Sequence, residues 1–172
     1  MITAAKQDQA KKSDAAARHA ARLAAVQALY QMELTGGDAE TVAREFLDHR
    51  FAKETEIAPA GEPDEEFFAA IVRGVPHHQV EIDRAIAQCL SEDWKLERID
   101  SILRAILRAG AAELIALQDV PAKVVIDEYV DVSHAFFSGP EPAFVNAALD
   151  KLARQKRAPE FGATPPSGEL EF

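Results

Sequence analysis

Two segments late in the chain each carry a proline at a position that suits the first turn of a helix. Pro121 follows Asp119, whose carboxylate can accept from free amides at a helix start, and Pro142 opens the second segment. A proline there loses no hydrogen bond, because the amide that it lacks would have no partner inside the helix. Apolar residues then recur at helical spacing: Val124, Val125 and Val132 in one segment, and Phe144, Val145, Ala148 and Leu152 in the other. The pattern predicts helices over 121–137 and 142–156 that pack on a core.

The composition favours helices in the rest of the chain as well. Of 172 residues, 48% are hydrophobic and only 7% are aromatic, and there are 8 glycines. Long runs of alanine, leucine, isoleucine and valine with few glycines favour an all-α fold, and the segments can be divided into six to seven helices. A chain of this length forms one compact domain or two small subdomains that share a core.

The first 30 residues are basic although the whole chain is acidic. The formal net charge is −10, yet this segment carries five basic side chains, including Lys11, Lys12, Arg18 and Arg22, against two aspartates. We expect residues 1–12 to form a flexible basic arm and residues 13–35 to form the first helix, capped at Ser13 or Asp14. Such a charge asymmetry is typical of a segment that attracts nucleic acid, but a basic face that is merely solvated remains an equal alternative.

A helical projection of residues 13–35 separates an apolar arc from a basic one. Leu23, Val26, Tyr30 and Leu34 lie within one arc, which we expect to be packed. Lys11, Arg18 and Arg22 lie in another arc, which we expect to be exposed, although Leu29 also falls there. Gly36 and Gly37 should end the helix.

The middle of the chain contains three more predicted helices. Asp38 caps one that runs to about Phe51, and residues 52–63 combine charges, prolines and a glycine as in a linker or long loop. Asp64 opens the next helix, in which Pro76 should cause a kink or an interruption. The most apolar segment, from about Leu96 to Leu117, is expected to be the central helix. Gly110 within it indicates the close approach of a neighbouring helix. Residues 158–172 are rich in proline and glycine and are expected to be disordered.

The sequence offers little catalytic or metal-binding chemistry. His77 and His78 are adjacent and lack the spacing of zinc ligands, and Cys89 is the only cysteine, so we expect neither a metal site nor a disulfide. Ser133 and His134 would diverge on a helix, and no glycine-rich phosphate loop is present. We therefore expect no catalytic residues and no cofactor. Without a long apolar span or a signal core, the chain is expected to be cytoplasmic, with no membrane association.

Several blocks of sequence, taken in order, resemble the NusB family over about residues 15–157, and we expect residues 13–157 to form the corresponding helical domain. They are the 17–31 segment with its two arginines, Gly74-Val75, the turn from Trp94 to Arg98, Ile106-Leu107-Arg108 to Glu113-Leu114, Asp119-Val120-Pro121, Ile126-Asp127-Glu128 and Phe144-Val145-Asn146. The resemblance implies two small helical bundles side by side, one over about 13–63 with the start of the third helix and one over about 91–157. It implies a non-enzymatic factor that binds boxA RNA of nascent ribosomal RNA transcripts together with ribosomal protein S10, also called NusE. The complex acts with other Nus factors and RNA polymerase in transcription antitermination.

The resemblance also implies which residues contact RNA. Arg18, His19 and Arg22 fall in the family's arginine-rich helix start, and Lys11 and Lys12 precede it. Phe144 falls at a family position that contacts RNA, where a ring can stack on an unpaired base. Asn146 could contact a base edge or support packing, and we favour support. Each cation that neutralises a phosphate makes binding more sensitive to salt, so Arg22→Ala should lower the salt dependence.

This chain departs from the family pattern in ways that leave alternatives open. Ala143 stands where many relatives have a lysine, and Ala147 stands where a glycine is usual. Fewer fixed cations imply weaker RNA binding by the isolated chain, with partial compensation by Lys11 and Lys12 and a need for NusE. One alternative is an RNA-binding module like that preceding the catalytic domain of ribosomal RNA cytosine methyltransferases. Another is a structural protein that associates with itself, and a homodimer is also possible for the family.

Overall fold

The computed structural model describes residues 2–50 and 63–162, and these residues form helices, turns and loops without a β-strand. The predicted all-α class is confirmed, and the described residues contain seven α-helices. The chain divides into two compact units, Met1–His77 and His78–Phe172. The first unit therefore extends past the predicted end of the first subdomain. The second unit begins before residue 91, where the second subdomain was predicted to begin.

The first unit consists of α1 (Ile2–Thr35), α2 (Ala39–Glu45), a π-helical segment (Phe46–Arg50) and α3 (Glu65–His77). α1 packs against α3 and α2. Gly36 ends α1 as predicted, with a positive φ of 70° that a residue with a side chain rarely adopts. In the core of this unit the rings of Phe46 and Phe68 stack with centroids 5.5 Å apart.

Aspartates cap the second and third helices, as the sequence predicts. Asp38 Oδ1 accepts from the Thr41 amide at 2.9 Å, and Asp64 Oδ1 accepts from the Phe67 amide at 3.0 Å. The hydrogen bond from the Thr41 amide lowers the pKa of the Asp38 carboxyl from its ordinary value, because it favours the ionised form. Most of the predicted 52–63 linker, and Phe51, lie outside the described residues.

The first helix starts much earlier than predicted. α1 has 34 residues and begins at Ile2, so residues 2–12 are helical and do not form a separate arm, and neither Ser13 nor Asp14 is an N-cap. The physical reason is that residues 3–12 are mostly alanine, lysine and glutamine, which favour helix, and include no glycine or proline. A capping residue starts a helix only where the preceding residues do not continue it.

The buried face of α1 also differs from the predicted arc. Arg22 and Leu29, assigned to the basic side, are 2% and 7% exposed, whereas Leu34, assigned to the packed side, is 62% exposed. Small residues account for the difference, because Ala21, Ala25 and Ala28 are fully buried and let the helices approach closely. A projection that gives weight only to large apolar side chains misses a face built from alanine.

The second unit consists of α4 (Gln79–Cys89), α5 (Ser101–Ala116), α6 (Ala122–His134), α7 (Glu141–Lys156) and a 3₁₀ turn (Ala158–Phe161). Pro76 lies in the last turn of α3, so the predicted interruption occurs two residues later, before α4. α5 packs against α4, α6 and α7, as expected, and α7 likewise packs against α4, α5 and α6, so these two helices share the centre of the unit. The start of α5 is later than predicted, because Asp100 accepts from the amides of Ile102 and Leu103 and acts as the N-cap.

Gly110 allows α5 to approach α6 and α7, as its position in an apolar helix indicates. A Cβ atom at this position would lie 2.8 Å from Leu149 Cδ1 and 3.3 Å from Tyr129 Cδ2. Both neighbours are almost completely buried, so they have little room to move.

We expect Gly110→Ala to destabilise the chain by about 1–2 kcal/mol, because overpacking outweighs the gain in helix propensity. Gly74 in α3 is the matched control, since a Cβ atom there would meet nothing within 4 Å. Gly74→Ala should therefore be neutral or stabilising by up to about 1 kcal/mol. The free energy of unfolding in urea tests the two variants. Equal changes in the free energy of unfolding at both positions would show that helix propensity alone, and not close approach, explains the effect of Gly110→Ala.

Residues 158–162, the described part of the segment predicted to be disordered, are ordered. Residues 158–161 form the 3₁₀ turn, and Glu160 Oε1 accepts from the Ala122 amide at 3.0 Å at the start of α6. Arg157, placed by the sequence at the end of the folded region, is 5% exposed. Its hydrogen bonds to carbonyl groups of residues 113–120 hold the segment in place. Residues 163–172 lie outside the described residues. No helix in the described ranges is both long and apolar enough to cross a membrane.

Candidate nucleic-acid interface

The two lysines predicted to contact RNA lie on α1. Lys11 and Lys12 are exposed, and the helix carries them as part of a continuous 34-residue element. Adjacent residues on a helix point about 100° apart, so the two ammonium groups cover different parts of its circumference. A helical backbone fixes the position of these two charges more narrowly than a flexible arm would.

Arg18 links α1 to the start of α3. Its guanidinium carbon lies 4.7 Å from the centre of the Phe67 ring, and Nε lies 3.8 Å from Asp64 Oδ2. The Asp64 amide also donates to the Ala17 carbonyl at 3.0 Å. The side chain is 36% exposed, so part of the guanidinium remains available to solvent while another part supports the packing of the first unit.

Arg22 lies one turn further along α1 and is buried. Its guanidinium carbon is 4.9 Å from the centre of the same Phe67 ring, and the residue is only 2% exposed. A planar, weakly hydrated guanidinium can lie on an aromatic face, which makes arginine the cation best suited to this location. The expectation that Arg22 lies on an exposed face is therefore corrected, because the structure packs Arg22 between α1 and α3. His19, between the two arginines, is partly exposed.

The predicted aromatic residue lies in the second unit, in the first turn of α7. Phe144 is partly exposed, whereas Val145 beside it is completely buried. Val145 and the buried Pro142 anchor this turn to the core, so the Phe144 ring is held at the surface. Asn146 is exposed, which argues against the packing role that we favoured for it. Ala143 and Ala147 are exposed as well.

Sequence reasoning missed a second aromatic residue at this location. Trp94, in the turn between α4 and α5, lies with its ring centroid 5.4 Å from that of Phe144, and it is 53% exposed. The available signal was a tryptophan in a polar turn without apolar periodicity, which is typical of an exposed ring. The structure thus brings Phe144 together with Trp94 in the second unit, and Arg18 and Arg22 together with Phe67 in the first.

The described residues offer little to a metal ion or a nucleophilic reaction. In residues 2–50 and 63–162, no group of three His, Cys, Asp or Glu side chains could hold a metal. Burial raises the pKa of the Cys89 thiol, which keeps it in the unreactive protonated form at neutral pH. Asp83 and Arg108 form a two-pronged ion pair between α4 and α5, with Nε to Oδ1 at 2.9 Å. This pair is part of the packing of the unit.

Comparison with known proteins gives consistent results. The family model described as NusB matches residues 19–154. The transcription antitermination protein NusB of Maricaulis maris is 50% identical over 161 residues, which are 94% of this chain and 100% of that relative. The protein of the same name from Caulobacter vibrioides is 51% identical over 140 residues, or 81% of this chain and 94% of that relative.

Solved structures show the same similarity in three dimensions. T. maritima NusB is 30% identical and has a TM-score of 0.70, with 85% of this chain and 97% of that chain covered. A crystal structure of the antitermination factors NusB and NusE in complex with double-stranded RNA contains a chain that is 26% identical, with a TM-score of 0.67. That match covers 80% of this chain and 96% of the other. Sequence and structure agree, and the chain belongs to the NusB family of transcription antitermination proteins, which are not enzymes.

Proposed function

We propose that this protein binds the boxA element of nascent ribosomal RNA transcripts together with NusE, and that the complex joins other Nus factors at RNA polymerase to prevent premature termination. The observation that carries the proposal is family membership over residues 19–154, with a related NusB crystallised together with NusE and RNA. Exposed Lys11 and Lys12 on α1 and the partly exposed Phe144 on α7 supply the cations and the aromatic ring that RNA binding needs.

Because the protein as a whole is acidic, its affinity for RNA depends on where individual cations lie. A net charge of −10 repels phosphates, so affinity depends on those basic groups that face solvent. Lys11, Lys12 and the exposed part of Arg18 meet this requirement, whereas the buried Arg22 does not. Because so few of the residues named for RNA contact are exposed cations, we expect the isolated chain to bind RNA weakly and NusE to increase the affinity.

Binding of a labelled boxA oligonucleotide, measured by fluorescence anisotropy with and without NusE, tests the proposal. We expect a clear preference for boxA over a scrambled strand at moderate salt when NusE is present. The absence of a preference in both conditions would contradict it. The mass of the protein in solution should be measured in parallel, because self-association without RNA binding is the outcome expected of a structural protein. The curated relatives are antitermination proteins, which favours this proposal over a methyltransferase module.

We expect the double variant Lys11→Ala, Lys12→Ala to bind boxA RNA more weakly and with a smaller salt dependence. Two lost phosphate contacts should reduce the slope of log affinity against log salt by about 1.4, given about 0.7 per contact for single strands. The matched control removes two exposed cations elsewhere, Arg84 on α4 and Lys123 on α6. A similar reduction in the control would mean that general charge, and not these two lysines, determines the slope.

A further inference from the structure

Trp94 is an aromatic side chain that the fold leaves exposed. It is the only tryptophan in the chain, it lies in the turn between α4 and α5, and it is 53% exposed. Tryptophan usually buries most of its surface, so an exposed indole is a feature that needs an explanation. The indole contacts the Phe144 ring, with centroids 5.4 Å apart and planes inclined by 39°.

Both rings are held by rigid surroundings. The first turn of α7 is anchored by the buried Pro142 and Val145 on either side of Phe144. The turn that carries Trp94 is fixed by Arg104, which is 8% exposed and donates from Nη1 to the carbonyls of Leu96 at 2.9 Å and Ile99 at 3.1 Å. The entropic cost of ordering these two side chains when a ligand binds is therefore small.

The charges around the indole do not indicate a phosphate site. Residues 91–98 include three acidic side chains, Glu92, Asp93 and Glu97, and two basic ones, Lys95 and Arg98. Electrostatic attraction for a phosphate backbone is therefore weak in this turn, and contact between ring faces is the interaction that the turn can offer. Every nucleic-acid base presents such a face once it is unpaired.

We propose that Trp94 and Phe144 together form a two-ring stacking surface for unpaired RNA bases, in which Trp94 extends the contact made by Phe144. This inference rests on the proposed function, because it names a further binding residue of the same site. Single-stranded RNA is the ligand, since the bases of a duplex are stacked on one another and do not present free faces.

Because Trp94 is the only tryptophan, its fluorescence reports directly on this site. Titration with single-stranded boxA RNA should quench the emission along the same curve that anisotropy of labelled RNA gives for binding, and a duplex of the same sequence should quench it much less. NusE is added in a second series, with Trp94→Phe as the blank for any signal from the partner. NusE alone should leave the Trp94 emission unchanged.

Variants separate stacking from general packing. Trp94→Ala should weaken binding about tenfold with no change in salt slope, the size expected for one lost stacking contact, whereas Trp94→Phe should retain most of the affinity. Val124→Ala removes another exposed apolar side chain, 44% exposed on α6, and should have no effect. Thermal unfolding followed by circular dichroism shows whether each variant is folded. If Trp94→Ala fails to fold, the quenching titration of the native chain still tests whether RNA contacts Trp94.

Three outcomes would overturn the inference, and they differ in what they leave standing. RNA binding without quenching, and with normal affinity in folded Trp94→Ala, removes Trp94 from the site but leaves the proposed function intact. Quenching by NusE alone assigns the rings to a protein contact. Failure of every RNA to bind, with or without NusE, removes the proposed function and the stacking surface together.

Discussion

Replacing Arg157 by alanine should destabilise the chain by about 3–5 kcal/mol, because several backbone carbonyls would lose a charged donor, at about 1–3 kcal/mol for each buried group left unsatisfied. The Arg157 guanidinium uses every one of its donors. Nε donates to the Leu114 carbonyl at 2.9 Å, and Nη2 donates to the carbonyls of Glu113 and Leu117 at 2.9 and 3.1 Å. Nη1 donates to the Val120 carbonyl and to Glu160 Oε2.

These acceptors explain the size of the effect. Arg157 supplies donors to two of the last carbonyls of α5, those of Leu114 and Glu113, and the Glu113 carbonyl also accepts from the Leu117 amide at 3.2 Å. A cation at this end also interacts favourably with the helix dipole. Arg157→Ala would leave several buried carbonyls without these donors, at a cost that exceeds that of losing a solvated hydrogen bond.

Urea unfolding followed by Trp94 fluorescence measures this effect, because the indole lies in the same unit as Arg157. Arg157→Lys should recover only part of the loss, since an ammonium group cannot reproduce the planar fork of the guanidinium. Arg154→Ala, in the last turn of α7 just before Arg157, is the matched control. Its side chain is 59% exposed and pairs with Asp150 at 2.9 Å, so the expected loss is at most about 1 kcal/mol. Equal losses for Arg157 and Arg154 would refute the capping role.

The second large effect is expected at Arg22, where the sequence and the structure lead to different predictions. The resemblance of the sequence to the NusB family predicts that Arg22→Ala lowers the salt dependence of RNA binding. With 2% exposure and a guanidinium 4.9 Å from the Phe67 ring, the structure instead predicts a loss of about 2–3 kcal/mol in the stability of the first unit.

Hydrogen exchange can distinguish the two predictions, because it reports on each helix separately. Arg22→Ala should reduce the protection of α1 and α3, and the salt slope of the folded protein should not change. Arg73→Ala is the control, since Arg73 is on α3 with a 54% exposed side chain and pairs with Glu40 at 2.6 Å. It should change protection much less. If Arg22→Ala instead reduces the salt slope and leaves the protection of α1 and α3 unchanged, the result would support Arg22 as a phosphate contact.

Several elements of the fold were predictable because their signals are local. Asp38 caps α2, Gly36 ends α1 and Pro76 precedes the break between α3 and α4, and each acts through backbone groups within four residues. Gly110 was also recognisable, because a glycine inside an apolar helix has few explanations other than close approach. The predicted start of α1 was wrong. The capping signal at residue 13 or 14 did not start the helix, because the ten preceding residues also favour helix.

The candidate site was less predictable. Phe144 could be named because it follows a helix-starting proline and occupies a recognisable family position, and the structure leaves it partly exposed. Trp94 lies 50 positions earlier in the sequence, and only the packing of a turn against the start of α7 shows that the two rings meet. Arg18 and Arg22 look equivalent in sequence, yet one is 36% exposed in its side chain and the other is buried.

The sequence by itself determined the helical class and most of the helix ends, because propensity, capping and apolar spacing act between residues that are close in the chain, and its resemblance to the NusB family indicated the family. Only the tertiary structure decided which cations face solvent and which support the core. Arg22 contacts Phe67, and Arg157 contacts carbonyls more than 35 positions away. The environment of a charged side chain depends on partners brought together by folding, and no periodicity within one helix contains that information.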